Sequence, residues 1–563
     1  MEYKIIGDND YQNIPRSFFK NRGISDVKTY THLTDDVLIP YDKLANIGKA
    51  VEVFDKHIQN NSNITIIVDC DVDGQCSAAM VYSYIKRVIL NNNIKITYLF
   101  HTGKQHGLSS EIVIPDNTDL LIIPDAGTND VEQCKQLKAN GVDIIILDHH
   151  EREVKNPYAV IVNNQCSANY PNKELCGAGI VYKFLQALDD YYWNDYADDY
   201  LDLVALANIS DMMDLRSAET KRLIDKGLAS VANKCFEEFI NIQNYSMKGK
   251  VNPHTIAFCI TSLINAMCRV GDSEEKDLLF RAFIETDEVF EYKKRGEKKP
   301  IEETIYQRAV RLCKNAKSRQ DTQVRKLLPT LTKKTEGNEN AVLFVKGNNI
   351  PSAFLGLVAM KLADYSKKPC LILRKNEEDD IYRGSARNFD NSYIADLKKM
   401  LLSINQFNWC QGHGNAFGFE INSRNVSNAI TRLDELCSQT DKRLNVDFVF
   451  DYENFNLGMI SDVISLEDYY GTGIKEPLFV ISNIPLEREQ GSIMGKNEDT
   501  WKFITDDDVA IIKFCNPHDD VVLDFLSGYD DEISINALCQ LGMSEYKGII
   551  TPQIVVKSYE VTG

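Results

Sequence analysis

Val142-Asp143-Ile144-Ile145-Ile146-Leu147-Asp148-His149-His150 is an apolar run that ends in a carboxylate and two imidazoles. Two earlier stretches follow the same plan. Ile64-Thr65-Ile66-Ile67-Val68 runs into Asp69-Cys70-Asp71-Val72-Asp73-Gly74, and Leu120-Leu121-Ile122-Ile123-Pro124 runs into Asp125-Ala126-Gly127. Short apolar runs with polar ends predict buried parallel strands. In an open α/β sheet, ligands bind just beyond the carboxyl ends of the strands. The three polar ends can therefore meet in one crevice. Carboxylates gathered there repel one another unless cations neutralise them. An oxygen-rich donor set with imidazole suits Mn²⁺ or Mg²⁺ better than a thiolate-bound metal. The pattern predicts a two-metal centre for phosphoester chemistry.

Length and composition set the frame. A chain of 563 residues should hold three or four domains, and 44% apolar residues is ordinary for a globular protein. No run of eighteen apolar residues occurs, so no membrane span is expected. Met1-Glu2-Tyr3-Lys4 lacks a basic-then-apolar leader pattern. The fourteen cysteines are scattered, with no Cys-x-x-Cys pair. That argues for reduced thiols in a cytoplasmic protein, against a disulfide scaffold or zinc ribbon. A net charge of −19 argues against non-specific coating of nucleic acid. Residues 293–334 oppose this average, with fourteen Lys or Arg against four Asp or Glu. There Ile305, Ala309, Leu312 and Ala316 recur at helical spacing, and Arg308, Arg311 and Lys314 fall largely off that stripe. The segment reads equally as a solvated helix or as a basic wall for a phosphate backbone.

The expected fold is α/β throughout, with an all-β end. Residues 1–46 read as a short mixed cap. Residues 47–235 alternate strand and helix signals, which predicts a parallel-sheet catalytic domain. Residues 236–339 read as a helical connector with the basic segment. Residues 340–438 form a second, smaller α/β unit, with strands at Ala341 to Val345 and Pro369 to Leu373 around a helix at Ala353 to Tyr365. Residues 439–563 read as an all-β domain, with runs at Leu478 to Ile481, Val509 to Phe514, Val521 to Phe525 and Ile549 to Val556.

Each motif has a bland alternative. Asp69, Asp71 and Asp73 at period 2 would point to one side of a strand end. A polar strand-to-helix turn would explain them as well. A calcium loop fails, because Met80 stands where that loop needs an acid. Asp125-Ala126-Gly127 alone is an ordinary turn, and Asp211 alone could end a helix. Adjacent histidines after a buried strand are uncommon, and the combination carries the specificity.

In order, these motifs and Ser210-Asp211-Met212-Met213-Asp214 resemble the DHH phosphoesterase superfamily. Asn163-Asn164, Tyr170-Pro171 and Lys173-Glu174-Leu175-Cys176-Gly177-Ala178-Gly179 resemble the segment that follows the DHH motif in RecJ-type exonucleases specific for single-stranded DNA. Ile264-Asn265-Ala266-Met267-Cys268-Arg269 resembles that group's Asn-Ala-x-Gly-Arg motif, with Cys268 in place of Gly. Gly356-Leu357-Val358-Ala359, Arg383-Gly384-Ser385-Ala386-Arg387 and Gly412-His413-Gly414-Asn415 resemble the DHHA1 domain, with Gln411 replacing the first Gly of Gly-Gly-His. Tyr470-Gly471-Thr472-Gly473 and Thr551-Pro552-Gln553 resemble the terminal OB-type domain.

The resemblance implies roles. Asp71 and Asp73 would each hold one of two Mn²⁺ or Mg²⁺ ions, Asp125 would bridge both, and His149 and Asp211 would complete the ligand set of the second ion. Asp69 would be a further ligand or support one. His150 would face the scissile phosphate, joined by Arg269. Asn265, Arg269, Ser385, Arg387, His413 and His106 would contact substrate. Trp501, Phe503 or Tyr546 would offer stacking surfaces.

The implied activity is 5′-to-3′ degradation of single-stranded DNA to 5′-mononucleotides, in repair, recombination or replication. The implied unit is a monomer, with a helicase or single-strand-binding protein as a candidate partner. Two alternatives stand beside it. One is a phosphodiesterase for short oligoribonucleotides or cyclic dinucleotides. The other is a non-catalytic nucleic-acid-binding relative. The long connector and terminal β domain argue against the first, and the full set of acidic and imidazole donors argues against the second.

Overall fold

The computed structural model describes residues 2–88, 94–101, 106–108, 112–293, 296, 299–375, 380–516, 520–546 and 548–562. The catalytic half is built on a five-stranded sheet, parallel throughout. Its order is Ile96–Phe100, Ile64–Val68, Leu120–Pro124, Asp143–Asp148, Val160–Asn163. Strands Ile64–Val68 and Leu120–Pro124 are buried along their whole length. Neighbouring residues feed different cores. Ile66, Ile122 and Ile145 join the large core, which holds helices Val72–Val88, Gly177–Tyr192 and Leu201–Ser210. Ile67, Ile123 and Ile146 join a smaller core on the opposite face, with Cys134 of helix Val131–Ala139. A strand covered on both faces needs apolar residues at consecutive positions, which explains the unbroken runs.

A helix of 31 residues, Ile305–Thr335, links this half to a second sheet. At 1.5 Å per residue it spans about 46 Å. Thr304 and Gln307 close its first turn with a capping box. The stripe residues Ile305, Ala309 and Ala316 are fully buried. Packing absorbs part of the basic wall. A hairpin, Val289–Tyr292 with Ile301–Thr304, lies against the helix. Arg311 donates twice to Glu303, at 2.7 Å each, and stacks over Tyr292. Arg308 stacks over Phe290. Lys317 pairs with Asp321, and Arg319 with Glu275. Lys314 stays exposed. Arg311 and Arg319 are thus met by acids from the hairpin and a neighbouring helix, while Arg325, Lys326, Lys333 and Lys334 stay exposed like Lys314.

The second sheet has the order Phe407–His413, Ala416–Asn422, Ile381–Arg387, Cys370–Lys375, Leu343–Lys346, antiparallel except for the last pair. The C-terminal region is a seven-stranded sheet that starts at Phe448–Asp451 and ends at Gly491–Met494. Val521–Ser527 is a helix there, not the expected strand. Asp520 caps it by accepting from the backbone of Val522 and Leu523. Trp501 and Phe503 are core residues, 0% and 1% exposed, so they offer no stacking surface. The Tyr546 side chain lies outside the described residues. Strand Tyr3–Ile5 pairs in parallel with Leu444–Val446, which fastens the N-terminal segment to the C-terminal region. Arg22 strengthens the junction through a buried ion pair with Asp447 at 2.5 Å. Among the described residues no helix is long and apolar enough to cross a membrane.

Candidate active site

The carboxyl ends of three adjacent strands carry the acidic residues to one place. Asp69 follows strand Ile64–Val68 directly, and the chain then turns into helix Val72–Val88. Only Asp69 prolongs the strand. Asp71 sits in the turn and Asp73 in the first helical turn, so the turn, rather than strand alternation, brings the three together. Gly74 makes that turn possible: a Cβ there would lie 2.4 Å from Asp69 Cβ. Asp73 accepts from the backbone of Gly177 at 2.6 Å and Ala178 at 2.7 Å. These are orphan donors at the start of helix Gly177–Tyr192. A Cβ on Gly177 would lie 2.6 Å from Asp125 Cβ, so glycine lets the helix end approach.

Asp125 has φ +67°, a left-handed conformation rare outside glycine, and its N–H donates to Leu147 O at 2.8 Å. Strained backbone of this kind persists where the surroundings hold it. Its Oδ1 is buried without a hydrogen-bond partner among the described residues, and so is Oδ2 of Asp211. His149 Nε2 stands 3.3 Å from Asp125 Oδ1, 3.4 Å from Asp211 Oδ2 and 3.8 Å from Asp73 Oδ2.

Two groups of donors result, each within 4.8 Å: Asp69, Asp71 and Asp125, and Asp73, His149 and Asp211. Asp125 also clusters with His149 and His150, which ties the two groups together. At an effective dielectric near 20, two carboxylates about 4 Å apart repel by roughly 4 kcal/mol. Burial and the neighbouring Asp73 and Asp71 accordingly push the Asp125 carboxyl well above the usual range. Burial raises Asp71 and Asp73 too. The partnerless oxygens and the crowded negative charge fit a pair of divalent cations.

Asp148, the acid beside the two histidines, plays a different part. Its carboxylate accepts from the backbone of Thr128, His149 and His150 and lies 2.8 Å from His150 Nδ1. It fixes the backbone of both histidines and the imidazole of His150. Burial opposes the charge, but the neighbouring His150 outweighs it and holds Asp148 far below the usual range. For His150, burial again opposes protonation, and Asp148 overrides it to raise the pKa to about 9. The motif alone assigns Asp148 no role, since nothing in it shows that the acid turns back onto its own loop.

Two arginines without ion-pair partners among the described residues lie nearby, Arg269 within the field of Asp71 and Arg387 within that of Arg269. Arg269 is on helix Ser262–Val270, with Asn265 one turn before it on the same face. Arg387 ends strand Ile381–Arg387, with Ser385 two residues earlier on the same side. Burial, with Arg269 beside it, lowers Arg387 to about 10. A Cβ on Gly356 would lie 2.4 Å from Arg387 Nη2, so that glycine makes room for the guanidinium. His413 reaches over from the second sheet to within 3.6 Å of Asp211. His106, expected at the substrate, places Nδ1 2.5 Å from Asp69 Oδ2 and keeps a half-exposed ring. Cys268 sits mid-helix, 3% exposed, where a side chain is accommodated in place of glycine.

The DHH family, N-terminal domain model matches residues 63–208. A protein of Bacillus subtilis (strain 168) that bears the name SPbeta prophage-derived single-strand DNA-specific exonuclease YorK is 36% identical over 572 residues, covering 100% of this chain and 98% of that protein. This chain belongs to the DHH family, in its RecJ-type branch. The single-stranded-DNA-specific exonuclease RecJ of the same bacterium is 25% identical over 477 residues, covering 82% of this chain and 57% of that one. The crystal structure of RecJ in complex with Mn²⁺ from Thermus thermophilus superposes with a TM-score of 0.71 at 16% identity, over 100% of this chain and 78% of that one. The RecJ-type architecture therefore extends over the whole chain, the DHH sheet, second sheet and β-rich end included.

Proposed function

We propose that this protein is a metal-dependent exonuclease that degrades single-stranded DNA from the 5′ end to 5′-mononucleotides. The observation that carries the reading is the convergence of two donor triples, sharing contact through Asp125 and His149, with two arginines nearby that have no ion-pair partner among the described residues. The names of the relatives support the substrate, and two similar structures, one with Mn²⁺ and one with Mg²⁺, support the cofactor.

Asp69, Asp71 and Asp125 would hold one ion, and Asp73, His149 and Asp211 the other, with Asp125 between them. When bound, such a pair activates a water at neutral pH and stabilises attacking and leaving oxygens. The chain's own groups supply the rest. Arg269 and Arg387 bind the phosphate, Arg being suited to paired hydrogen bonds with its oxygens. Asn265 and Ser385 add amide and hydroxyl contacts beside them. His150, kept protonated by Asp148, faces the phosphoryl group and offsets charge that grows in the transition state. His413 holds Asp211 from the second sheet and closes that side.

Both triples and both arginines come from one chain, so we take the monomer as the working unit. Fourteen unpaired cysteines favour a reducing, cytoplasmic setting. A helicase or single-strand-binding protein would supply the free strand.

The test is direct. Single-stranded DNA and RNA oligomers labelled at either end are incubated with Mn²⁺ or Mg²⁺. Early release of the 5′ label as a mononucleotide from DNA is expected. Shortening from the 3′ end, or cleavage only of dinucleotides, would overturn the reading.

A further inference from the structure

Next to the paired triples lies a third set of donors, of which the proposed reaction uses Asp69 but neither Cys70 nor His106. Asp69, Cys70 and His106 each present a ligand atom within 4.8 Å of the others. Cys70 Sγ is 3.6 Å from His106 Nε2. His101 adds an independent observation. It is 4% exposed, neither ring nitrogen has a hydrogen-bond partner among the described residues, and Nε2 stands 3.2 Å from Asp69 Oδ1. Nε2 is within ion-pair distance of Asp69, and Nδ1 has no partner at all among the described residues; buried polar groups are normally paired, so the imidazole marks a place for a ligand. A cavity of about 10 Å³ opens there, bordered by Asp69, Cys70, His101 and Cys268, room for one small ion. Lys276 also borders it, so any cation needs anionic donors, which Asp69 provides at once and Cys70 once its thiol proton is released to solvent on metal binding.

We propose that Asp69, Cys70 and His106, with His101 as fourth donor, form a separate binding position for a borderline-soft divalent cation of the zinc class. The donor set decides the metal. Sulfur and imidazole favour Zn²⁺ over Mn²⁺ or Mg²⁺, which prefer oxygen. A tetrahedral zinc with about 2.3 Å to sulfur and about 2.0 Å to nitrogen places those two atoms roughly 3.5 Å apart, close to the spacing seen. The acidic motif fixes positions 69, 71 and 73 and leaves position 70 free, so the reaction makes no demand for cysteine there. Asp69 is shared with the metal pair, and on this point the inference rests on the proposed function. A zinc ion that captures Asp69 loosens the adjoining ion of the pair, which makes nuclease activity sensitive to zinc.

The experiment uses the full chain, stripped of metal, saturated with Mn²⁺ and then titrated with Zn²⁺. Equilibrium dialysis measures bound zinc, and X-ray absorption reports its ligands. One zinc per chain is expected, with a sulfur in its shell at about 2.3 Å. Cys70→Ser and His106→Gln should each weaken zinc binding at least about tenfold. The half-exposed His106 gives a usable variant should Cys70→Ser fail to fold. Asp211→Asn, which strikes the pair alone, should keep the zinc. A zinc shell without sulfur, unchanged affinity in both variants, or loss of zinc in Asp211→Asn would overturn the proposal. Mn²⁺ binding in the same samples separates the two readings: its absence in the unmodified chain would end the metal-pair reading while zinc capture through Cys70 stood.

Discussion

Gln411 donates its side-chain amide to Glu153 at 2.6 Å, joining the strand that carries His413 to the loop that follows His150. Glycine at position 411, as in the related motif, would leave Glu153 without this partner. Both residues are exposed, so the bond contributes under about 1 kcal/mol. Gln411→Ala should therefore raise KM for single-stranded DNA about two- to fivefold and leave kcat close to its original value. Steady-state kinetics decide it. A large fall in kcat would mean the bond does more than hold two surfaces together.

Removal of one buried carboxylate should separate activity from stability. Asp125→Asn is expected to lower kcat at least about 10²-fold. The same change relieves repulsion among Asp69, Asp71, Asp73 and Asp125, so the metal-free variant should melt above the metal-free parent. Added Mn²⁺ should stabilise the parent, by about 2.7 kcal/mol at a hundred times Kd, and the variant much less. Calorimetry in chelator and in Mn²⁺ measures both. A variant that melts lower without metal would contradict the crowding argument.

The basic helix gives a contrast between neighbours. Arg311→Glu breaks the paired hydrogen bonds to Glu303 and the stack on Tyr292, and should cost roughly 1–3 kcal/mol of stability. Lys314→Glu touches no described partner and should leave stability within about 0.5 kcal/mol. Of the two, only Lys314 is free to meet a phosphate backbone, so its reversal should raise KM more for long strands than for short ones. Equal effects of length on both variants would refute this division.

Glu476 supplies a pH dependence away from the active site. Burial pushes its carboxyl up to about 7, against 4.5 for an ordinary glutamate, with Gln540 donating to it at 2.6 Å. The folded chain thus holds a proton between these values that the unfolded chain has released. The contribution of neutral Glu476 is complete below about pH 4.5 and is lost as pH rises through 7. Its upper bound is about 3 kcal/mol. Glu476→Gln should raise the melting temperature at pH 8 by a few degrees and change little near pH 4.5. A shift of equal size at both pH values would count against it.

Much of the catalytic half was legible because a sheet covered on both faces demands unbroken apolar strands, and their ends are where ligands bind. The triples drew on residues such as Asp71, Asp125 and Asp211 that are ordinary one by one. Three features escaped for identifiable reasons. Val521 to Phe525 is short and apolar, a pattern that helix and strand share, and the deciding signal was the capping Asp520 just before it. Arg311 looked free because Glu303 lies on a hairpin whose return to the helix no local pattern reveals. His101 sits in a polar stretch after a strand, and only the fold brings it to Asp69.

The pairing of Tyr3–Ile5 with Leu444–Val446 bears on how the enzyme comes into being. A ribosome has delivered every acidic donor of the centre long before it reaches residue 446. Until then the opening strand has no mate, and Arg22 has no Asp447. The newborn polypeptide therefore holds its acidic residues in an unclosed frame, which closes only when a strand made much later pairs with Tyr3–Ile5.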